Sequence, residues 1–124
     1  MARKPTDLRS LQLRFHAFME EMRLTPVQAA ALCGMTTDYV TGLPQTLAKD
    51  LPEVVIHRMR MAGHLHAQLD MLFPDADEGF QWMNNKHGVF GGVTPLEYLM
   101  NAPFAEEAMF SLIEYLDNYL YRRW

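Results

Sequence analysis

Two helix starts and a glycine corner fall within residues 75–103, DADEGFQWMNNKHGVFGGVTPLEYLMNAP, and constrain this chain more than any other feature. Asp75 with Glu78 three residues on has the pattern of a capping box, in which the Asp carboxylate takes a free backbone N–H and the Glu reaches back. Thr94-Pro95-Leu96-Glu97 repeats it in stronger form, with a hydroxyl cap, proline at the first helical position and Glu at the third. Between them, Phe90-Gly91-Gly92 offers two residues that can take positive φ, so the backbone can turn sharply while Phe90 and Trp82 pack beneath it.

Upstream, the same logic predicts more helices. Thr6 or Asp7 can cap one running to about Arg23, with Leu8, Leu11, Phe15, Phe18, Met19 and Met22 at helical spacing. Thr25-Pro26-Val27-Gln28 is another capping box, opening a helix that ends at Gly34, and Thr36 caps a short third one. Gly42 to Asp50 reads as a linker, after which Asp50-Leu51-Pro52-Glu53 has a capping-box pattern. The following helix is apolar over more than one stripe (Leu51, Val54, Val55, Met59, Met61, Ala62, Leu65, Leu69, Leu72), enough to meet its own domain and a second copy of itself. The closing helix, from about Pro103 to Tyr121, carries a core stripe of Ala105, Ala108, Met109, Leu112, Ile113, Leu116 and Leu120. A second line, Tyr115, Asn118, Tyr119 and Arg122, continues into Arg123 and Trp124. These are residue types that dominate interface hot spots, although Tyr and Trp could equally finish the core. The reading is an all-α protein of about seven helices.

Charge divides the chain. Residues 1–70 hold eight Lys/Arg against seven Asp/Glu, whereas residues 71–124 hold three against eight. The acidic C-terminal half is unsuited to phosphates, and the N-terminal half can meet them only weakly. A lone cysteine, Cys33, excludes a disulfide framework and fits a reduced cytoplasm. No apolar run approaches a membrane span and the basic N-terminus lacks a following apolar segment, so a soluble cytoplasmic protein is expected.

The order Trp82, Asn84-Asn85-Lys86-His87, Phe90-Gly91-Gly92-x-Thr94-Pro95-Leu96-Glu97 resembles the toxin-binding domain of antitoxins of the Xre, MbcA and ParS type, over roughly Leu72 to Tyr121. LTPVQAAALCGMTTDYVTGLP resembles the helix-turn-helix of Xre-type and Cro-type repressors: Ala30 permits close crossing, Gly34 makes the turn, and Val40 and Leu43 face the core. Two short helices joined by a glycine turn, with no nucleic-acid role, fit those residues too. The resemblances imply an arm plus helix-turn-helix bundle over 1–50, a connecting and dimerisation helix over 51–71 and a C-terminal helical toxin-binding domain over 72–124. They imply a homodimeric antitoxin that neutralises a RES-type, NAD-consuming toxin and represses its own operon. A stand-alone transcriptional regulator is the alternative. Toxin contact falls to Phe90, Gly91, Gly92, Thr94, Tyr115, Asn118, Tyr119, Arg122, Arg123 and Trp124. Weak operator contact falls to Arg3, Lys4, Arg9, Thr37, Asp38 and Thr41; the third helix brings no Lys, Arg, Gln or Asn to a groove, and Asp38 would repel phosphate. Tyr121, Trp124 and the terminal carboxylate would enter the toxin's nucleotide pocket.

No catalytic constellation stands out: there is no glycine-rich phosphate loop and no serine elbow. His57, His64, His66 and Asp70 share one helix, but the pairs His57/His64 and His66/Asp70 point in different directions and nothing nearby completes a shell. Solvated helical histidines are therefore expected, with no metal and no cofactor.

Overall fold

The computed structural model describes residues 7–121, which form seven α-helices and no strand. They are α1 (Leu8–Glu21), α2 (Pro26–Cys33), α3 (Thr37–Gly42), α4 (Glu53–Leu72), α5 (Ala76–Met83), α6 (Pro95–Asn101) and α7 (Ala105–Tyr121), with a 3-10 turn at Gly88–Phe90 between α5 and α6.

Local chemistry sets most of the starts. Asp7 caps α1 through the Ser10 N–H, and Thr36 caps α3 through the Tyr39 N–H. Complete capping boxes form at Thr25 with Gln28 and at Thr94 with Glu97, each with proline just inside the helix. Two other expected boxes do not form. α4 begins at Glu53 with Pro52 in the cap position and no side-chain cap, because a residue preceding proline is pushed out of helical conformation and Leu51 cannot serve as its first turn. Asp75 does cap α5, but through the Asp77 N–H two residues on; any of the orphan first-turn donors serves a short carboxylate. α1 stops at Glu21, two residues short of Arg23, which takes φ +52 as the Leu24 N–H closes back on the Met19 carbonyl. α7 starts at Ala105, two residues after Pro103.

The missing cap on α4 matters little, because burial anchors that helix. Val55, Ile56, Met59, Met61, Ala62, Leu65 and Leu69 are all buried. A fully buried side chain of this kind contributes roughly 1.5–3 kcal/mol, against about 1 kcal/mol for a cap. α4 is the axis of the molecule, with α1 packed along one side and α7 along another, and α2 and α5 also touching it. Its broad apolar surface is thus accounted for within one chain, leaving Val54 and Met71 exposed. One continuous core runs from Phe15, Phe18 and Val40 through Leu65 and Leu69 to Leu99, Leu112 and Leu116.

In the N-terminal half, Gly34 takes φ +80 and its N–H meets the Ala30 carbonyl at 2.8 Å, so α2 and α3 turn as the helix-turn-helix spacing requires. Val40 and Leu43 are buried beneath them. The expected linker is pinned by a buried side chain. Gln12, fully buried on α1, donates from Nε2 to the Leu8 and Ala48 carbonyls, each at 2.9 Å. Its Oε1 accepts from the Tyr39 hydroxyl and from the Ala48 N–H. Both donors and both acceptor positions of the amide are filled, which is what makes a buried glutamine tolerable.

Candidate functional site

Six rings from four helices and loops converge on the glycine corner. Trp82 of α5 stacks on Tyr115 of α7 (6.4 Å, 16°) and meets Phe90 edge-on at 6.2 Å. His87 lies 5.2 Å from Trp82, and Phe73 closes the far side at 6.2 Å. Phe90 reaches Tyr98 of α6 at 5.3 Å and Tyr115 at 5.5 Å. Such pairs add about 0.5–1.5 kcal/mol each beyond area burial, so the rings hold α5, α6 and α7 in register. The backbone above them folds tightly: the His87 N–H donates to the Val93 carbonyl, and the Gly92 N–H returns to the His87 carbonyl. Gly91 and Gly92 take φ +76 and +83, yet a Cβ at either would meet nothing within 4 Å. Glycine is therefore required by conformation and not by space.

The sequence-derived residues separate here by role. Phe90 and Tyr115 are half-buried members of the ring cluster. The Thr94 hydroxyl is spent on the Glu97 N–H, and Glu97 returns a carboxylate oxygen to the Thr94 N–H. Those hydrogen bonds from Thr94, backbone first, hold the Glu97 carboxyl below its ordinary range. Gly91, Gly92 and Asn118 are exposed, as is Tyr119 at 52%. Tyr115 joins the corner to α7, and one turn on Tyr119 lines a 300 Å³ groove with Met71, Phe73 and Trp82. Arg122, Arg123 and Trp124 lie outside the described residues, as do Arg3 and Lys4. On the other half, Arg9, Thr37, Asp38 and Thr41 are exposed, though the Thr41 hydroxyl donates to the Thr37 carbonyl at 2.7 Å.

Sequence reasoning missed two exposed aromatic residues. Phe104 is 65% exposed and Phe110 57%, and both line an 820 Å³ groove with Met61, Val93, Tyr98 and Glu107. Phe110 falls off the buried stripe of α7 and on the outward line Glu107, Phe110, Glu114, Asn118, Tyr121, a displacement visible in the helical spacing. Exposed apolar patches rimmed by charge mark binding surfaces. Inward, Glu106 pairs with Arg58 at 3.5 Å and His57 at 3.7 Å, and Asp117 accepts from Gln68 at 2.7 Å, so polar contacts at both ends fasten α7 to α4.

This face offers apolar and acidic contact area without a constellation of nucleophile and base, which suits binding a protein. Among the described residues no helix is long and apolar enough to cross a membrane. No curated protein matches the chain. One family model does, over residues 68–122, from the last turns of α4 through the ring cluster and α7. That segment matches the model of the antitoxin Xre/MbcA/ParS C-terminal toxin-binding domain, a non-enzymatic family whose description implies a protein toxin as partner.

Proposed function

We propose that this chain is the antitoxin of a toxin–antitoxin pair and that it neutralises its toxin through the outward face of α7. The observation that carries this is the line Glu107, Phe110, Glu114, Asn118, Tyr121, with Phe104 and Tyr119 beside it, exposed on a domain of toxin-binding type. Its aromatic residues supply contact area that water leaves cheaply, and its carboxylates select a basic partner. The resemblance points to a RES-type toxin that consumes NAD. Such an enzyme needs a pocket for a flat ring and anionic phosphates, and Tyr121, Arg122, Arg123 and Trp124 are the residue types suited to its mouth.

The N-terminal half represses the operon. Its helix-turn-helix presents Thr37, Asp38 and Thr41, and Arg9 with Arg3 and Lys4 supplies phosphate contacts, so binding by one copy is weak and falls steeply with salt. Useful affinity then comes from a homodimer engaging two half-sites. The test is co-expression with the product of the adjacent reading frame. That product should arrest growth alone and be harmless with the full chain, and deleting residues 121–124 should abolish protection while leaving helicity intact. Protection by the truncated chain would remove the tail from the mechanism. A harmless neighbour beside a chain that binds operator DNA would favour the stand-alone regulator.

A further inference from the structure

We propose that Glu21, His66 and Asp70 form a divalent transition-metal site joining α1 to α4. The three ligand atoms, His66 Nε2 and one oxygen from each carboxylate, all lie within 4.8 Å of one another. His66 and Asp70 are one helical turn apart on α4, with Nε2 and Oδ2 at 3.8 Å, a spacing that lets one helix chelate a cation with two side chains. Glu21 arrives from the end of α1, 45 residues away in sequence, and its Oε2 meets the same imidazole nitrogen.

Two features distinguish this cluster from the molecule's other histidine–carboxylate pairs. His16 with Glu20, His57 with Glu106 and His64 with Asp117 each bring a single carboxylate to an imidazole, which is an ion pair and no more. Among the described residues, only His66 faces two. Its side chain is also the most enclosed of the four, 15% exposed, with the Phe18 ring 5.7 Å away on one side. An aromatic wall and a largely enclosed imidazole restrict the direction of the nitrogen lone pair, while exposed Asp70 leaves an approach from solvent.

The donor set selects the ion. One imidazole nitrogen and two carboxylate oxygens suit Zn²⁺ and the neighbouring transition metals, with water completing the shell; Mg²⁺ and Ca²⁺ prefer oxygen alone. Donors about 2.0–2.1 Å from zinc stand roughly 3.3 Å apart, so Asp70 need draw in only slightly, while the Glu21 carboxylate must back away from the imidazole nitrogen it touches to let the ion between them. A dication would offset the two carboxylate charges. It would also tie the helix-turn-helix half to α4 close to where Arg23 meets Asp77 of α5 at 3.0 Å.

The experiment is equilibrium dialysis of the full chain against Zn²⁺ alone, with Co²⁺ absorption as a spectroscopic check. One equivalent per chain is expected, with a zinc-dependent rise in Tm. Asp70→Asn, at an exposed position where folding is safe, should weaken binding at least about tenfold and dim the Co²⁺ bands, and His66→Gln should abolish both. His57→Gln and His64→Gln should leave them unchanged. Absence of binding at millimolar zinc, binding that survives both site variants, or binding that follows His57 or His64 overturns the site and leaves His66 and Glu21 as an ion pair.

Discussion

The two halves start a helix in the same way and then diverge. Thr25-Pro26-x-Gln28 and Thr94-Pro95-x-Glu97 build complete capping boxes, each followed by buried apolar residues. Beyond that point the N-terminal half is fixed by one saturated amide, Gln12, which holds α1, α3 and the 43–50 loop together. The C-terminal half is fixed by rings around Trp82 and Phe90. Their outer surfaces differ as much: α3 shows small polar side chains, whereas α7 shows Phe110, Tyr119 and Tyr121 among carboxylates. A common local rule can thus serve unlike purposes, and purpose is read from what each half leaves in water.

Breaking each device should expose that contrast. Trp82→Ala removes the hub of the ring cluster and should cost about 3–4 kcal/mol, measured by chemical denaturation, with near-ultraviolet circular dichroism of the corner lost. Gln12→Ala should cost about 3 kcal/mol, because the Ala48 N–H and carbonyl and the Tyr39 hydroxyl lose a partner in the interior. Hydrogen exchange should rise first around 43–50 in that variant and around 87–93 in the Trp82 variant. The two caps sharpen the comparison from the other side, since Thr25→Ala and Thr94→Ala should each cost about 1 kcal/mol. Unequal losses would mean that the boxes are not equivalent.

Opposite ends of the pH scale should also separate the halves, with smaller effects. Burial pushes the Tyr39 hydroxyl up to about 12. Its folded value lies above the unfolded one of about 10, so its contribution is complete below pH 10 and is lost as pH rises toward 12. Glu97 is shifted the other way, so the stability from its cap is present above pH 4.5 and fades as pH falls through its lowered folded value. Tyr39→Phe should flatten the alkaline limb of a stability–pH curve, and Glu97→Gln the acid limb. A curve changed at the wrong end by either variant would contradict these assignments.

Legibility followed distance along the chain. The caps at Thr25, Thr36 and Thr94, the turn at Gly34 and the corner at Gly91-Gly92 could be read because each depends on neighbours within a few residues. The Asp50 box failed for a local reason as well, the effect of Pro52 on Leu51. What the sequence hid was long-range pairing. Gln12 finds Tyr39 and Ala48 at separations of 27 and 36 residues, and nothing about a single glutamine between Leu11 and Leu13 announces which distant groups will saturate it. Of the proposed contact residues, the corner was legible as architecture, and Phe90 and Tyr115 proved to be half-buried in it. Phe110 was legible in principle, since a phenylalanine out of phase with the core stripe must face outward.

On the function proposed above, the outward face of α7 holds the toxin. This contact is tested most directly by the affinity of the purified toxin for the full chain carrying Phe110→Ala with Tyr119→Ala, beside a control with Thr37→Ala and Thr41→Ala on α3. Both α7 positions are exposed, so the fold should survive, and loss of even one hot-spot aromatic weakens binding by about 30-fold or more. At least that loss is expected for the α7 pair and none for the α3 pair. Wild-type affinity in the α7 variant, with its helicity and Tm unchanged, would contradict it.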